Sequence, residues 1–199
     1  LTASSPCVFW AAPSIRGGGI DSPRPASQRA AAFILTAAML ITLNTPAFAA
    51  IWSIEDGDIT VKAGDTGNDV TQKGTTTYGD TDTIITNRNE GTASSNTVII
   101  EAKDKDDKVE VTLKDVNIKA TGDKAAVSVT GSGNTTIKLD GDNHLTGGNG
   151  IYSNSSGSLT ISGDENDSLT AQGGDIRNGI YSVSGDVTIS GGTVTATGG

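Results

Sequence analysis

Hydrophobic and polar positions alternate in short runs between Ser95 and Gly199, and the runs return in the same order. Asn149-Gly150-Ile151-Tyr152-Ser153 comes back as Asn178-Gly179-Ile180-Tyr181-Ser182. Leu159-Thr160-Ile161-Ser162-Gly163 comes back as Val187-Thr188-Ile189-Ser190-Gly191, and Leu169-Thr170-Ala171 as Val194-Thr195-Ala196. The offsets are 29, 28 and 25 residues (150 to 179, 159 to 187, 169 to 194). Each unit holds three period-two runs separated by Gly, Ser, Asn and Asp, with no helical period. Self-similarity of this length built from strands predicts an all-β solenoid, a parallel β-helix of about 25–29 residues per coil. Like residues one coil apart then sit about 4.8 Å apart, one strand spacing. An antiparallel β-sandwich is the alternative, because short alternating strands with polar turns suit it as well.

Alignment of the units gives the expected interior. Val127, Ile151 and Ile180 form one column. Ile137, Leu159 and Val187 form a second, Leu139, Ile161 and Ile189 a third, and Leu145, Leu169 and Val194 a fourth. Residues 95–199 form the coils, with further strands at 96–100, 109–113 and 116–120. The charge run Lys103–Lys108 reads as a solvated loop between strands. Residues 50–94 form a cap segment with strand-like runs at 52–54, 58–62 and 83–86. Trp52 is expected to plug the open end there, since terminal units must cover apolar edges.

Before Ala50 the pattern changes. Arg24 and Arg29 precede an apolar run at 30–43, followed by Asn44-Thr45-Pro46 and the small-residue site Ala47-Phe48-Ala49. Residues 1–49 therefore read as a leader with a secretory signal peptide cut after Ala49. The run falls short of the roughly 20 residues of a membrane span. Residues 1–23 lack an initiating Met and suggest a mis-assigned start, and Gly198-Gly199 falls where a next coil would begin, which suggests truncation. The lone cysteine, Cys7, belongs to the leader, so the processed chain is expected to hold no thiol.

Composition narrows function. The chain has a net charge of −9, 26 glycines and 4% aromatics, too few large side chains for a deep catalytic cavity. Beyond Ala49 it holds 22 acidic and 11 basic residues, because Asp21 and Arg16, Arg24 and Arg29 go with the leader. That balance disfavours nucleic acid and anionic membrane as partners. His144 reads as a surface turn residue and Arg177 as the local partner of Asp175. No Ser-His-Asp order, HExxH or CxxC is present, so no catalytic residue is assigned and an enzyme is not expected.

Three surface features carry candidate chemistry. If Ile151 and Ile180 face inward, Tyr152 and Tyr181 face outward and stack one coil apart, as strand alternation requires. Such a pair offers an amphipathic surface for sugar rings, with a rim of Ser153, Asn154, Asn178 and Ser182. Asp140, Asp142, Asp164 and Asp167 fall at one corner of successive coils, where hard oxygen ligands leave weak calcium binding open. Neither stretch matches an EF-hand or the RTX nonapeptide, and Asp and Asn also favour turns for their own hydrogen bonds. Thr146, Thr170 and Thr195 form a threonine ladder, with Thr112, Thr160 and Thr188 on another face. Its second column is broken at Gly148 and Gln172, which argues against ice binding.

The segments Trp52–Val61 (WSIEDGDITV), Asn96–Ile100 (NTVII), Asp123–Ser128 (DKAAVS), Ile137–Asn143 (IKLDGDN) and Ser156–Asp164 (SGSLTISGD) together resemble secreted repeat proteins of Gram-positive gut bacteria labelled carbohydrate-binding domain-containing proteins. The resemblance spans most of 52–199 and rests on the order of the segments. It implies a right-handed β-helix and a secreted or cell-surface life, and it carries no residue-level site. This chain departs from the pattern in having no visible wall anchor. The function expected is a non-catalytic, adhesin-like module for extracellular glycans or host and cell-surface polymers, with no membrane contact after the cut. A structural spacer is the alternative, and a polysaccharide lyase-type enzyme stands behind both.

Overall fold

The structure, a computed structural model, describes residues 48–89 and 91–199. The apolar run at 30–43, Cys7 and residues 1–23 lie outside the described residues. In chain order the elements are β1 (Phe48–Ser53), a 3-10 turn (Ile54–Asp56), β2 (Ile59–Gly64), β3 (Gly67–Gln72) and β4 (Thr75–Thr86). Four coils follow. The first is β5 (Val98–Ala102), β6 (Lys108–Lys114) and β7 (Asn117–Lys119). The second is β8 (Val127–Gly131), β9 (Asn134–Asp140) and β10 (Asp142–Gly147). The third is β11 (Ile151–Ser155), β12 (Leu159–Ser162) and β13 (Ser168–Gly173), and the last is β14 (Ile180–Ser182), β15 (Val187–Ile189) and β16 (Thr193–Thr197).

The coils stack into three faces. The first is β2-β5-β8-β11-β14, the second β1-β4-β6-β9-β12-β15, and the third β7-β10-β13-β16, with every neighbour parallel. Among the described residues, antiparallel pairing is confined to β2 with β3 and β3 with β4. The sandwich alternative is therefore overturned, and the fold is a parallel β-solenoid. β3 joins the first two faces into one 12-stranded sheet. Lys73 and Gly74, at φ 52° and 76°, make the two-residue turn into β4, a geometry that suits the twist of a hairpin.

Hydrophobic burial follows the alternation. Val98, Ile100, Val127, Val129 and Ile151 line the first face, and Val109, Val111, Leu113, Ile137, Leu159 and Ile161 the second. Ile118, Leu145, Leu169 and Ala171 line the third, and together they form one core. Trp52 packs against this core from β1 and donates its indole N–H to Asp80 Oδ2 at 2.9 Å, which agrees with its expected place at the open end. The expected strand at 52–54 ends at Ser53, where the 3-10 turn begins. Beneath the cap, buried Asn68 donates to Thr83 Oγ1 at 2.9 Å and to the Glu110 carbonyl at 2.7 Å, tying β3 to the first coil.

The Val127–Ile151–Ile180 column stands as expected. In the other columns the pairs Leu159–Val187, Ile161–Ile189 and Leu169–Val194 also stand as expected, and the residues taken from the second coil are corrected by a shift of two. Ile137 pairs with Ile161 and then Ile189, while Leu159 lies between Thr135 and Val187. Likewise Leu145 pairs with Ala171, and Leu169 lies between Asn143 and Val194. A slip of two keeps every side chain on its face, so apolar alternation alone is blind to it. Polar residues fill the columns where the alignment placed aliphatics. Val187 and Ile189, expected inside, are 37% and 52% exposed on the last coil.

Asn143 shows how a polar residue is kept inside. Fully buried, it accepts the Val116 N–H at 2.9 Å and donates to the carbonyls of Asp140, Gly141 and Ser168 at 3.3–3.4 Å. One side chain thus bridges three coils at the corner between the second and third faces. At the opposite corner backbones meet directly: a Cβ on Gly157 would collide with the Gly133 carbonyl, and one on Gly185 with that of Gly157. Only glycine lets the coils stack in register there. Asn143→Leu restores the apolar column but strands the Val116 N–H in the core. It is expected to lower unfolding stability by about 1–3 kcal/mol, read from urea denaturation.

Candidate functional site

The outer side of the first face carries one column through four coils: Ile99, Ser128, Tyr152 and Tyr181, each paired in register with the next. Parallel pairing of Ile151 with Ile180 forces the two tyrosines onto the same outer position. Their rings stack with centroids 5.9 Å apart and planes 13° apart, an offset arrangement suited to the ring quadrupole. Tyr181 is 43% exposed. Asn154 projects outward beside Tyr152, two residues along β11, and Asn178 is exposed just before β14. Two rim residues are corrected. Ser153 is buried and its hydroxyl has no partner, and Ser182, paired with it, turns its hydroxyl to the Gly185 carbonyl at 2.6 Å. Both share the inward parity of Ile151, so only Asn154 and Asn178 stay with the tyrosines.

A notch opens beside Tyr152. The connections from the third face back to the first run 120–126, 148–150 and 174–179, so a three-residue corner lies between corners of seven and six. The two long corners stand out as walls around the short one. The cavity between them, about 300 Å³, is lined by Asp123, Lys124, Ser128, Asn149, Tyr152 and Arg177. Ser128 is too small to cover the ring of Tyr152 on the next coil. Arg177 reaches across to Asp123 at 3.5 Å, which corrects the expected pairing with Asp175. Asp123 is 92% exposed in its side chain, so this ion pair contributes little. Asn149, nearly buried, accepts the Asn178 N–H at 3.1 Å and braces the neighbouring wall.

The four aspartates at the corner between the second and third faces are already engaged, apart from one. Asp140 accepts Lys114 Nζ at 2.7 Å and Asp142 accepts the Ser168 hydroxyl at 2.7 Å. Asp167 accepts the N–H of Asp164 at 2.6 Å and of Gly141 at 2.9 Å. These backbone donors hold the Asp167 carboxyl below its ordinary range, with Lys114 adding attraction, while partial desolvation opposes them. Asp164 makes no side-chain hydrogen bond among the described residues. The adjoining cavity of about 270 Å³ is lined by Asp164 and Asp167 but also by Lys138, which repels a cation. Among the described residues no group of three or more His, Cys, Asp or Glu side chains is placed to hold a metal.

Of the remaining candidates, His144 is corrected in its element and the threonine ladders in part of their register. His144 lies within β10 rather than in a turn, paired with Asn117 and Thr170. Thr146 faces Gln172, not Thr170, so the third-face columns read Asn117-His144-Thr170-Thr195 and Lys119-Thr146-Gln172-Thr197. On the second face Thr112 pairs with Lys138, and the threonine column is Thr136, Thr160 and Thr188. Neither array is a flat double ladder. The notch itself escaped sequence reading, although the unequal spacing between successive third and first strands was its signal.

No protein-family model matches the chain, and no curated protein or solved structure does either. The geometry itself defines a parallel β-solenoid with an aromatic pair and a polar notch on its outer surface.

Asp167 gives a pH test. Its carboxyl is held below the ordinary 3.8, so its contribution is present at neutral pH and is lost as pH falls through the lowered value. Asp167→Asn is expected to melt lower at pH 7 and to converge on the parent chain in acid. Asp164→Asn is expected to stay within about 0.5 kcal/mol of the parent, as an unengaged surface change does. Thermal melts from pH 7 to pH 2 compare the three.

Proposed function

We propose that the chain is a secreted or cell-surface, non-catalytic module that binds extracellular glycan on the outside of its first face. The observation that carries this is the Tyr152–Tyr181 stack, held in register by the coil ladder and open to solvent at Tyr181. Stacked rings on a rigid sheet give C–H faces of a sugar an apolar surface at little entropic cost, while amides and hydroxyls fix its orientation. Asn154 and Asn178 supply amides beside the rings. The notch at Ser128, Asn149 and Arg177 adds hydrogen-bonding groups beside the rings.

Adhesin-like attachment follows from the same geometry, since a solenoid displays its binding face at a fixed distance from whatever carries it. The leader motif supports export, and the surplus of acidic residues beyond it supports solubility outside the cell.

A glycan array probed with the parent chain, Tyr152→Ala and Tyr181→Ala tests the proposal. Binding should fall at least about tenfold, near 1.4 kcal/mol, in each variant, with melting temperature little changed because both rings lie outside the core. Binding that survives both changes removes the tyrosine surface. An array with no bound glycan for the parent chain favours a pure spacer.

A further inference from the structure

Asp80 is the one carboxylate in the described cap that is completely buried, and its surroundings are unusual. It accepts three hydrogen bonds, from the Ala50 N–H at 3.0 Å, the Trp52 indole N–H at 2.9 Å and the Asp82 N–H at 3.3 Å. All three donors are neutral. None of the ion pairs among the described residues includes Asp80. A buried carboxylate without a countercharge is costly and calls for one. The acidic Asp82 beside it adds to that demand.

The donor at 3.0 Å is the backbone nitrogen of Ala50, and the bond before it, Ala49–Ala50, is the one the Ala47-Phe48-Ala49 motif marks for cutting. β1 starts at Phe48, so the cut falls inside a strand: Phe48 and Ala49, paired with Asp80 and Asp82, leave with the leader, and Ala50–Ser53 stays paired with Thr83–Thr86. Hydrolysis there by a signal-peptide-cleaving protease consumes one water. It leaves a carboxylate on Ala49 and an amine on Ala50, which takes a proton at neutral pH. The new cation forms at the atom that already touches Asp80.

We infer that Asp80 is a receptor for the α-ammonium of Ala50, so that removal of the leader completes an ion pair and locks β1 and Trp52 over the end of the solenoid. The inference rests on the secretory part of the reading above and is independent of its glycan part. The site's ligand is the processed N-terminus of the same chain. Until the cut the same contact is made by an uncharged peptide N–H, and the carboxylate stays unneutralised.

The test expresses the full chain in a secreting bacterial host and reads the N-terminus of the exported protein by mass spectrometry. Three forms are compared: the parent chain, a chain with one extra alanine inserted after Ala49, and Asp80→Asn. The insertion keeps an N–H at Ala50 but moves the charge one residue away. Export with Ala50 as the first residue is expected, with the inserted chain melting at least about 3 °C lower. In the parent, the α-amine should hold its proton at least about tenfold more tightly than the ordinary value of about 7.7–8.0 implies, read by nitrogen-15 NMR. That NMR reading stands even if Asp80→Asn fails to fold. If Asp80→Asn folds, its α-amine should titrate normally. An uncut or differently cut chain overturns both the secretory reading and this inference. A chain that begins at Ala50 with an ordinary amine and no loss on insertion overturns the inference alone.

Discussion

The backbone ladder between successive coils is the constraint from which the rest follows. Each interior strand of a face donates and accepts along both edges, so a residue's neighbours are set by its counterpart one coil away and not by its neighbours in sequence. A coil of this size has too few aliphatics to stand by itself, and its inner stripe is buried only when the next coil lies on it. The ladder therefore fixes the interior columns and, by strand alternation, the outer ones as well. The Tyr152–Tyr181 stack is a direct result: Ile151 over Ile180 leaves the rings no other place.

Corners decide how closely the ladder can repeat. Where glycines stack, as at Gly133, Gly157 and Gly185, backbones pass too closely for any side chain and the faces stay aligned. Where the corner carries side chains, they are used as clamps, as with Asn143 between coils and Asp167 against the N–H groups of Gly141 and Asp164. Corner length is then the one variable that shapes the surface without disturbing the core. The short corner at 148–150 between two longer ones produces a notch beside the tyrosines, and any recognition by this molecule draws on such differences between otherwise similar coils.

Much of this was legible in the sequence, for identifiable reasons. The repeated Asn-Gly-Ile-Tyr-Ser phrase carries five identical residues, enough to fix register, and the column it predicted is the one observed. The phrases around Leu159 and Leu169 were aligned against earlier coils by hydrophobicity alone. They slipped by two because Thr135 and Asn143 occupy inward positions that a hydrophobic pattern does not expect. The same slip displaced the threonine ladders. Ser153 and Ser182 were assigned to the outer rim against the alternation itself, which puts them on the inward side with Ile151 and Ile180. β3 and the first half of β4 are rich in Thr, Asn and Asp, and their signal was the Lys73-Gly74 turn rather than any apolar run. Asp80 gave no sequence signal, since its role depends on a strand 28 to 30 residues earlier folding back beside it.

In-register parallel stacking is tested most directly by an engineered disulfide on the outside of the first face. With Cys7 replaced by serine, Thr130→Cys and Asn154→Cys place thiols on residues paired between β8 and β11, about one strand spacing apart and within disulfide reach. Mild oxidation is predicted to close this bridge in the monomer and to raise the melting temperature. Failure of that pair to close, together with ready closure between Asn154→Cys and Thr160→Cys as a hairpin of β11 and β12 would require, would contradict the solenoid.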